Sequence, residues 1–439
     1  MNIKSPLAIR YQKVTALRPN PRNARTHSKQ QIRKIAKSIR TFGFINPVIV
    51  DRENQIVAGH GRVAGATSLS IDEVPTIVLD DLTEDEIRAY IIADNRLAED
   101  AGWDKDILAI ELQHLMTIEG LDFDVTLTGF EIPEVDLIIG ETTQAESERE
   151  EIPVPEAGQQ ATSKLGDLWQ LGLHRSFCGS SLEDASYQTL MGSKLAAAVF
   201  TDAPYNVGID GHATGNGAIR HREFAMASGE MTDAEFFNFL VRCIELLVRY
   251  SSTQSVHYLC MDWRHIATLL AAGDKNYGQF LNLCVWVKDN GGMGSFYRSQ
   301  HELVAVFRNG KKPHRNNIQL GKFGRNRTNV WQYPGVQTLS KQGDEGNLLE
   351  LHPTVKPLTM VADAILDCTK RGDIVLDAFL GSGTTLMAAE RVGRICYGIE
   401  IDPIYVDTAI RRWQKYTGAE AVHTATKKTF AQITAARMR

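Results

Sequence analysis

Residues 373–402, DIVLDAFLGSGTTLMAAERVGRICYGIEID, constrain the fold more tightly than any other stretch. An apolar run, a glycine turn, a helical stretch and a second apolar run closed by an acid read as strand, turn, helix and strand, the repeating unit of a parallel sheet. Gly381 and Gly383 let the backbone turn tightly and approach a ligand closely. Glu400, 17 residues after Gly383, stands where a carboxylate accepts hydrogen bonds from ribose hydroxyls. The turn lacks the third glycine of a dinucleotide fingerprint and the lysine of a phosphate loop, so a polyphosphate is disfavoured. Taken alone, the pattern also fits a βαβ unit that binds nothing.

The same alternation extends upstream. AAAVFTDAPY, SVHYLCMD, FLNLCVWVK and HELVAVFR read as strands, and AEFFNFLVRCIELLVRY, HIATLLAAG and TMVADAILDCTK as helices. This predicts an α/β domain over residues 164–418, a doubly wound parallel or mixed sheet with helices on both faces. Residues 141–163 are acidic, then proline-bearing, then small and polar, and read as a linker; 419–439 read as a C-terminal tail. Ahead of them lies a smaller α/β unit, 1–140. HSKQQIRKIAKSIR sets Ile32, Ile35, Ala36 and Ile39 at helical spacing, NPVIVD and QIVAGHG read as short strands about a turn, and residues 83–119 form a helical tail.

At 439 residues the chain exceeds one typical domain. It holds no run near the ~20 apolar residues that span a bilayer, and Met1 to Val14 lack the apolar core of a signal peptide, so a cytoplasmic protein without a membrane partner is expected. The six cysteines form no C-x-x-C pair. The one H-x-x-C, His257 with Cys260, lies in a strand whose alternation sends the two side chains to opposite faces, so no metal is expected. A net charge of −5 gives no overall attraction for nucleic acid, and any attraction must be local.

Asp202-Ala203-Pro204-Tyr205 closes the strand AAAVFT, placing a carboxylate, a rigid bend and a ring at the carboxyl edge of the sheet, where open α/β folds bind ligands. This tetrapeptide resembles the D-P-P-Y motif of amino-methylating DNA methyltransferases, and DAFLGSGTT (377–385) resembles their S-adenosylmethionine loop. His352 to Pro357 is similar to their H-P-T-x-K-P signature, and WVKDNGGMGSFYRSQHELVAVFRNG to the segment joining their catalytic and target-recognition parts. The motifs occur in the order of a circularly permuted group and cover about residues 164–415.

The resemblance implies methyl transfer from S-adenosylmethionine to an exocyclic amine in double-stranded DNA. Asp202 and the Ala203 carbonyl would accept hydrogen bonds from the target amine, beside Pro204, and Tyr205 would stack on the flipped base. Asp377, Phe379, Gly381, Ser382, Gly383, Thr384, Glu400 and Asp402 would hold the cofactor. Lys356 would steer the cofactor carboxylate or a DNA phosphate, unless it is a solvated lysine fixed by its prolines. Glu302 is expected to anchor the loop between strands. Asp rather than Ser at 202 favours adenine; cytosine remains the alternative. Ala203 and Ala378 replace prolines of the motifs, the only support for a rival reading as a DNA-binding adaptor that no longer catalyses.

Between Glu302 and Asp344 there is no acid, while Arg308, Lys311, Lys312, Arg315, Lys322, Arg325 and Arg327 accumulate with His314, Phe323, Trp331 and Tyr333. A charge run is ordinarily a solvated face. Its position at about 308–345, where the family places target recognition, makes DNA contact the expectation.

LRPNPRNARTHSKQQIRKIAKSIRTFGFINPVIVD with VAGHGRVAGA is similar to the N-terminal domain of ParB-type partition proteins and the related sulfiredoxin fold. The resemblance implies a turn, Gly59, His60, Gly61 and Arg62, that holds nucleotide phosphates at a helix N-terminus. A DNA-docking or dimerising scaffold is the alternative, so a nucleotide and a homodimer both remain open. Sulfiredoxin chemistry is disfavoured because residues 1–177 contain no cysteine.

Overall fold

A computed structural model describes residues 7–100, 102–117, 125–147, 160–206, 229–289, 291, 296–318, 326–333 and 356–437. The chain divides into two compact units, Met1–Thr142 and Thr143–Arg439.

In the first unit β1 (Ile9–Lys13), β2 (Val48–Val50), β3 (Ile56–Ala58) and β4 (Glu73–Val78) form a sheet in the order β1-β4-β2-β3. The Lys29–Phe42 helix starts at Ser28, whose hydroxyl accepts from the Gln31 N–H at 3.1 Å. It buries Ala36 and Ile39, two of its periodic apolar positions. Gly59, at φ +106°, caps the His60–Ser68 helix. The sheet core gathers Leu17, Val48, Val50, Ile56, Ala66 and Val74. Helices Glu84–Asp100, Lys105–Thr117 and Ile132–Ser147 follow. The last enters the stretch read as linker, because ETTQAES is rich in helix-tolerant Glu, Gln and Ala yet carries no apolar stripe to mark a helix.

The second unit contains β5 (Leu168–Leu171), β6 (His174–Cys178), β7 (Ala196–Thr201), β8 (Ser251–Met261), β9 (Gln279–Val287), β10 (His301–Arg308), β11 (Val330–Gln332), β12 (Ile374–Asp377), β13 (Ile395–Glu400) and β14 (Val422–His423). They form one ten-stranded sheet, ordered β11-β9-β10-β8-β7-β12-β13-β6-β5-β14. Strands β8, β7, β12, β13 and β6 run parallel, and antiparallel pairs extend both edges. Alternation divides the apolar side chains between two faces. Val199, Leu259 and Leu376 pack against the Asp184–Met191, Asp233–Arg249 and Ile266–Asp274 helices. Phe200, Tyr258 and Val375 pack against the Leu358–Cys368 helix. Each fully buried Leu or Phe contributes about 1.5–3 kcal/mol.

The chain departs from β7 toward β8 and from β12 toward β13, in opposite directions along the sheet, so the neighbouring carboxyl ends of β7 and β12 form a topological switch point. Of the stretch 419–439 read as a tail, residues 419–437 instead complete the domain. β14 pairs with β5, and the Phe430–Arg437 helix sets the Phe430 ring 5.3 Å from Trp169. The start of the domain is anchored too: Thr162 and Ser163 N–H groups donate to the buried Asp407 carboxylate at 2.6 and 2.9 Å.

Candidate active site

The switch point brings the two sequence motifs together. Thr201, ending β7, donates its hydroxyl to Asp377 Oδ1, at the end of β12, at 2.9 Å. Phe379 N–H also donates to Oδ1 at 3.0 Å and Thr385 Oγ1 to Oδ2 at 2.7 Å. Asp377 therefore braces its own turn. Burial pushes its carboxyl up to about 6 against those three donors.

Glu400 braces the turn from β13. Its Oε2 accepts from Gly381 N–H and its Oε1 from Asp402 N–H, both at 2.8 Å. Burial raises this carboxyl to about 7, with the two N–H groups opposing. Each oxygen retains a lone pair for a further donor. Gly381 takes φ +52°, and a Cβ there would meet nothing within 4 Å, so the backbone lies open to a ligand. Gly383, at φ +89°, is different: a Cβ would stand 2.8 Å from that of Ala409, so this glycine serves packing against the Pro403–Thr417 helix. Ser382 is held by Arg412, whose guanidinium reaches its carbonyl at 2.7 Å. Thr384 opens the Thr384–Arg391 helix and Asp402 caps Pro403–Thr417 by accepting from Ile404 N–H at 2.9 Å. Gly381 and Glu400 thus offer an open backbone edge and a buried acceptor, which fits a hydroxyl-bearing ribose.

The Asp202 side of the site is a buried ion cluster. Lys356 Nζ lies 2.6 Å from Asp202 Oδ2 and 3.0 Å from Glu302 Oε2. Lys288 Nζ binds Glu302 Oε1 at 2.5 Å, and Tyr205 donates its hydroxyl to Asp202 Oδ1 at 2.6 Å. Burial raises the Asp202 carboxyl, Lys356 lowers it and Glu302 raises it again. Glu302 is likewise opposed by burial, yet Lys356 and Lys288 prevail and bring it down to about 2. Burial also disfavours the Lys356 ammonium, but Asp202 and Glu302 outweigh it and hold the lysine above its usual range.

One expectation is corrected here and one is extended. With a side chain only 4% exposed, Lys356 is not the solvated lysine its flanking prolines suggest; it is the counter-ion of Asp202. Glu302, on β10, does hold the loop after β9 through Lys288, and beyond that expectation it also joins the cluster around Asp202. Sequence reasoning passed over two further residues, Lys288 and Asn206. Asn206, at φ +56°, is tied to Gly229 and Met231, accepting from both of their N–H groups and donating to Met231 O. An Asn following the aromatic of such a tetrapeptide is a signal that could have marked it, since Asn tolerates left-handed backbone.

The basic stretch separates into parts. Lys311, Lys312 and Arg315 are exposed, and Arg308 is half-buried in β10. Arg327 is structural: it pairs with Asp363 at 3.0 Å and Asp367 at 2.8 Å, both on the Leu358–Cys368 helix, and stacks over buried Trp331. The expected DNA contact at Arg327 is overturned, because acids distant in sequence neutralise it. Tyr333 donates its hydroxyl to Asp363 at 2.5 Å. Lys322, Phe323, Arg325 and His352 to Val355 lie outside the described residues.

His257 is a core residue, with both ring nitrogens taken by Ser255 and Tyr277 at 2.9 Å, and burial drives its pKa down to about 3. Cys260 packs in the cluster on the opposite face. No helix among the described residues is long and apolar enough to cross a membrane.

In the first unit, Gly59 and the buried Gly61 sit at the start of the His60–Ser68 helix. Arg62 donates to Pro47 O at 3.2 Å, and His60 Nε2 accepts from Asn20 N–H at 3.2 Å. Burial, then the charge of His27, lowers the His60 pKa.

Residues 196–411 match the family described as DNA methylase, residues 106–165 a ParB-methyltransferase HTH domain, and residues 5–95 a ParB N-terminal domain. The second span covers what was read as helical tail and linker. Among relatives, the ParB-like nuclease domain-containing protein YnaK of Escherichia coli K12 is 46% identical over 80 residues, 18% of this chain and 92% of its own. Type II methyltransferase M2.MboI of Moraxella bovis is 26% identical over 226 residues, covering 50% of this chain and 81% of its own. Among solved structures, PvuII DNA methyltransferase (cytosine-N4-specific) aligns at 16% identity with a TM-score of 0.42, over 64% of this chain and 94% of that one.

Proposed function

Because the chain belongs to the DNA methylase family that modifies N4 or N6 amines, fused behind a ParB N-terminal domain, we propose that it methylates the exocyclic amine of adenine in double-stranded DNA. The observation that carries this reading is the bond from Thr201 to Asp377, which sets Asp202 beside the open Gly381 turn at one switch point. S-adenosylmethionine, when bound, supplies an electrophilic methyl group on a sulfonium. Gly381 and Glu400 are the residues that would hold it, the glycine by its open edge and the carboxylate by accepting from ribose hydroxyls.

An exocyclic amine is a poor nucleophile because its lone pair is delocalised into the ring. Asp202 and the Ala203 carbonyl, as acceptors, draw the amino hydrogens out of the ring plane and localise that lone pair. The Tyr205 ring offers a stacking face that regains part of the few kcal/mol spent in flipping the base. Aspartate at 202 is the ground for adenine over cytosine. The exposed Lys311, Lys312 and Arg315 contact the DNA backbone in this reading, and the ParB and HTH domains increase residence on DNA.

The experiment is incorporation of tritiated methyl into unmethylated DNA, followed by digestion to nucleosides. Labelled N6-methyladenine is expected; labelled cytosine would replace adenine by its rival, and no label would favour the adaptor. Asp202→Ala should lower turnover at least about 10²-fold with far less effect on cofactor affinity. A variant keeping a tenth of wild-type turnover would refute the acceptor role.

A further inference from the structure

The Asp202 carboxylate does not wait empty for a target amine. Tyr205, three residues along the chain, already donates its hydroxyl to Oδ1 at 2.6 Å, and the same hydroxyl lies 3.2 Å from Glu302 Oε2. A phenol carries one proton to donate, so it serves one of these acceptors at full strength at a time. Lys356 spans the same two carboxylates, from Asp202 Oδ2 to Glu302 Oε2, and closes the ring. Lys288 holds the other oxygen of Glu302. The formal charges of Asp202, Glu302, Lys288 and Lys356 cancel. The hydroxyl can therefore change acceptor without any charge moving, and with Lys356 bridging both ends throughout.

We propose that Glu302 is a positioning residue that receives the Tyr205 hydroxyl when a base enters, so that Tyr205 stands in for the target amine on Asp202 until the amine arrives. This rests on Asp202 being the amine acceptor. While the phenol donates to Oδ1, that oxygen is a weakened acceptor for a second donor; once the hydroxyl turns to Glu302, Asp202 regains its strength. Between turnovers the exchange keeps a buried carboxylate hydrogen-bonded, which avoids the cost of leaving it unsatisfied. Lys356 Nζ lies 5.5 Å from the centroid of the Tyr205 ring, so the ring proposed to stack on a flipped base is held against the same cluster.

The test is a double-mutant cycle between Glu302→Gln and Tyr205→Phe, reading kcat and KM for unmethylated DNA separately. Glutamine keeps the size of the side chain but is a poorer receiver, and phenylalanine keeps the ring but has no hydroxyl to hand over. With Tyr205 present, Glu302→Gln is expected to raise KM for DNA about tenfold, the change carried by a hydrogen bond to a charged group. In the Tyr205→Phe background the same substitution should raise it less than about threefold, since the residues act through one another. An equal cost in both backgrounds would overturn the exchange, because Glu302 would then act without the hydroxyl. If Glu302→Gln alone does not fold, Glu302→Gln with Lys288→Met removes one cation with the anion and enters the same comparison. A wild-type enzyme that puts no methyl into DNA removes the proposed function and this proposal with it. An active wild type showing equal costs removes this proposal alone.

Discussion

Glu400→Gln replaces a buried carboxylate, pushed from an ordinary 4.5 up to about 7, by a neutral amide of the same size. At 1.36 kcal/mol for each tenfold step, that rise means roughly 3 kcal/mol against the ionised form in the folded chain. The folded value lies above the unfolded one, so the stabilisation from Glu400 is complete below about pH 4.5 and is lost as pH rises through about 7. Cofactor binding should run oppositely. A ribose hydroxyl donating to Glu400 favours the ionised form, so affinity for S-adenosylmethionine should rise with pH, about tenfold per unit, and level off above about 7. Glu400→Gln should abolish this dependence, weaken binding by about 10- to 100-fold near pH 8, and lose the decline in stability assigned to the carboxylate. Asp377, raised to about 6, titrates in the same range and its charge adds to the rise of Glu400, but its oxygens face Thr201, Phe379 and Thr385, so whatever pH dependence survives in Glu400→Gln belongs to it and the difference between the two proteins is read for Glu400. Calorimetry in two buffers of different protonation enthalpy gives the affinity and the protons released. A wild-type affinity flat across this range, or a variant with the same slope, would refute the assignment of Glu400 to the cofactor.

The two glycines of the turn should part company. Gly381→Ala, with open space at its Cβ, should weaken cofactor binding while costing only about 1 kcal/mol of stability; Gly383→Ala, 2.8 Å from the Ala409 methyl, should cost more in urea unfolding, and the reverse order would reject the distinction. Lys356→Met leaves Asp202 and Glu302 facing each other without their shared cation. It should cost about 3–5 kcal/mol, and the further rise of the Asp202 carboxyl should move the acid limb of the pH–rate profile to higher pH; an unmoved limb would detach Lys356 from Asp202. Arg327→Ala should destabilise the chain by a similar amount while leaving the salt dependence of DNA binding unchanged. Neutralising Lys311, Lys312 and Arg315 together should flatten that dependence by about 0.9 in log–log slope per lost phosphate contact. Equal slopes would make this a plain solvated surface.

What could be read in advance was whatever recurs within a few residues. Strand and helix periods give the doubly wound sheet, and the small N-terminal unit follows from Ile32, Ile35, Ala36 and Ile39 and from two strands about a turn. The two motifs meet at the switch point because chain order and handedness leave an open α/β sheet few other ways to arrange its ends. What stayed hidden was pairing across long separations. A lysine flanked by prolines looks solvated until Asp202, 154 residues away, is known to face it. An arginine in an acid-free stretch looks free until the chain returns with Asp363, 36 residues on. Counting charges along the sequence treats neighbours in the chain as neighbours in space, an assumption that holds on the exposed loop at Lys311 and fails inside the sheet. The glycines show the same limit in a different form. G-S-G announces a turn, but whether a missing Cβ makes room for a ligand or for Ala409 depends on a helix 20 residues downstream, whose approach no local pattern encodes. Chemistry at this site therefore depends on partners that only the fold assembles. For that reason Glu302, read from the sequence as a loop anchor, lies at the centre of the cluster around Asp202.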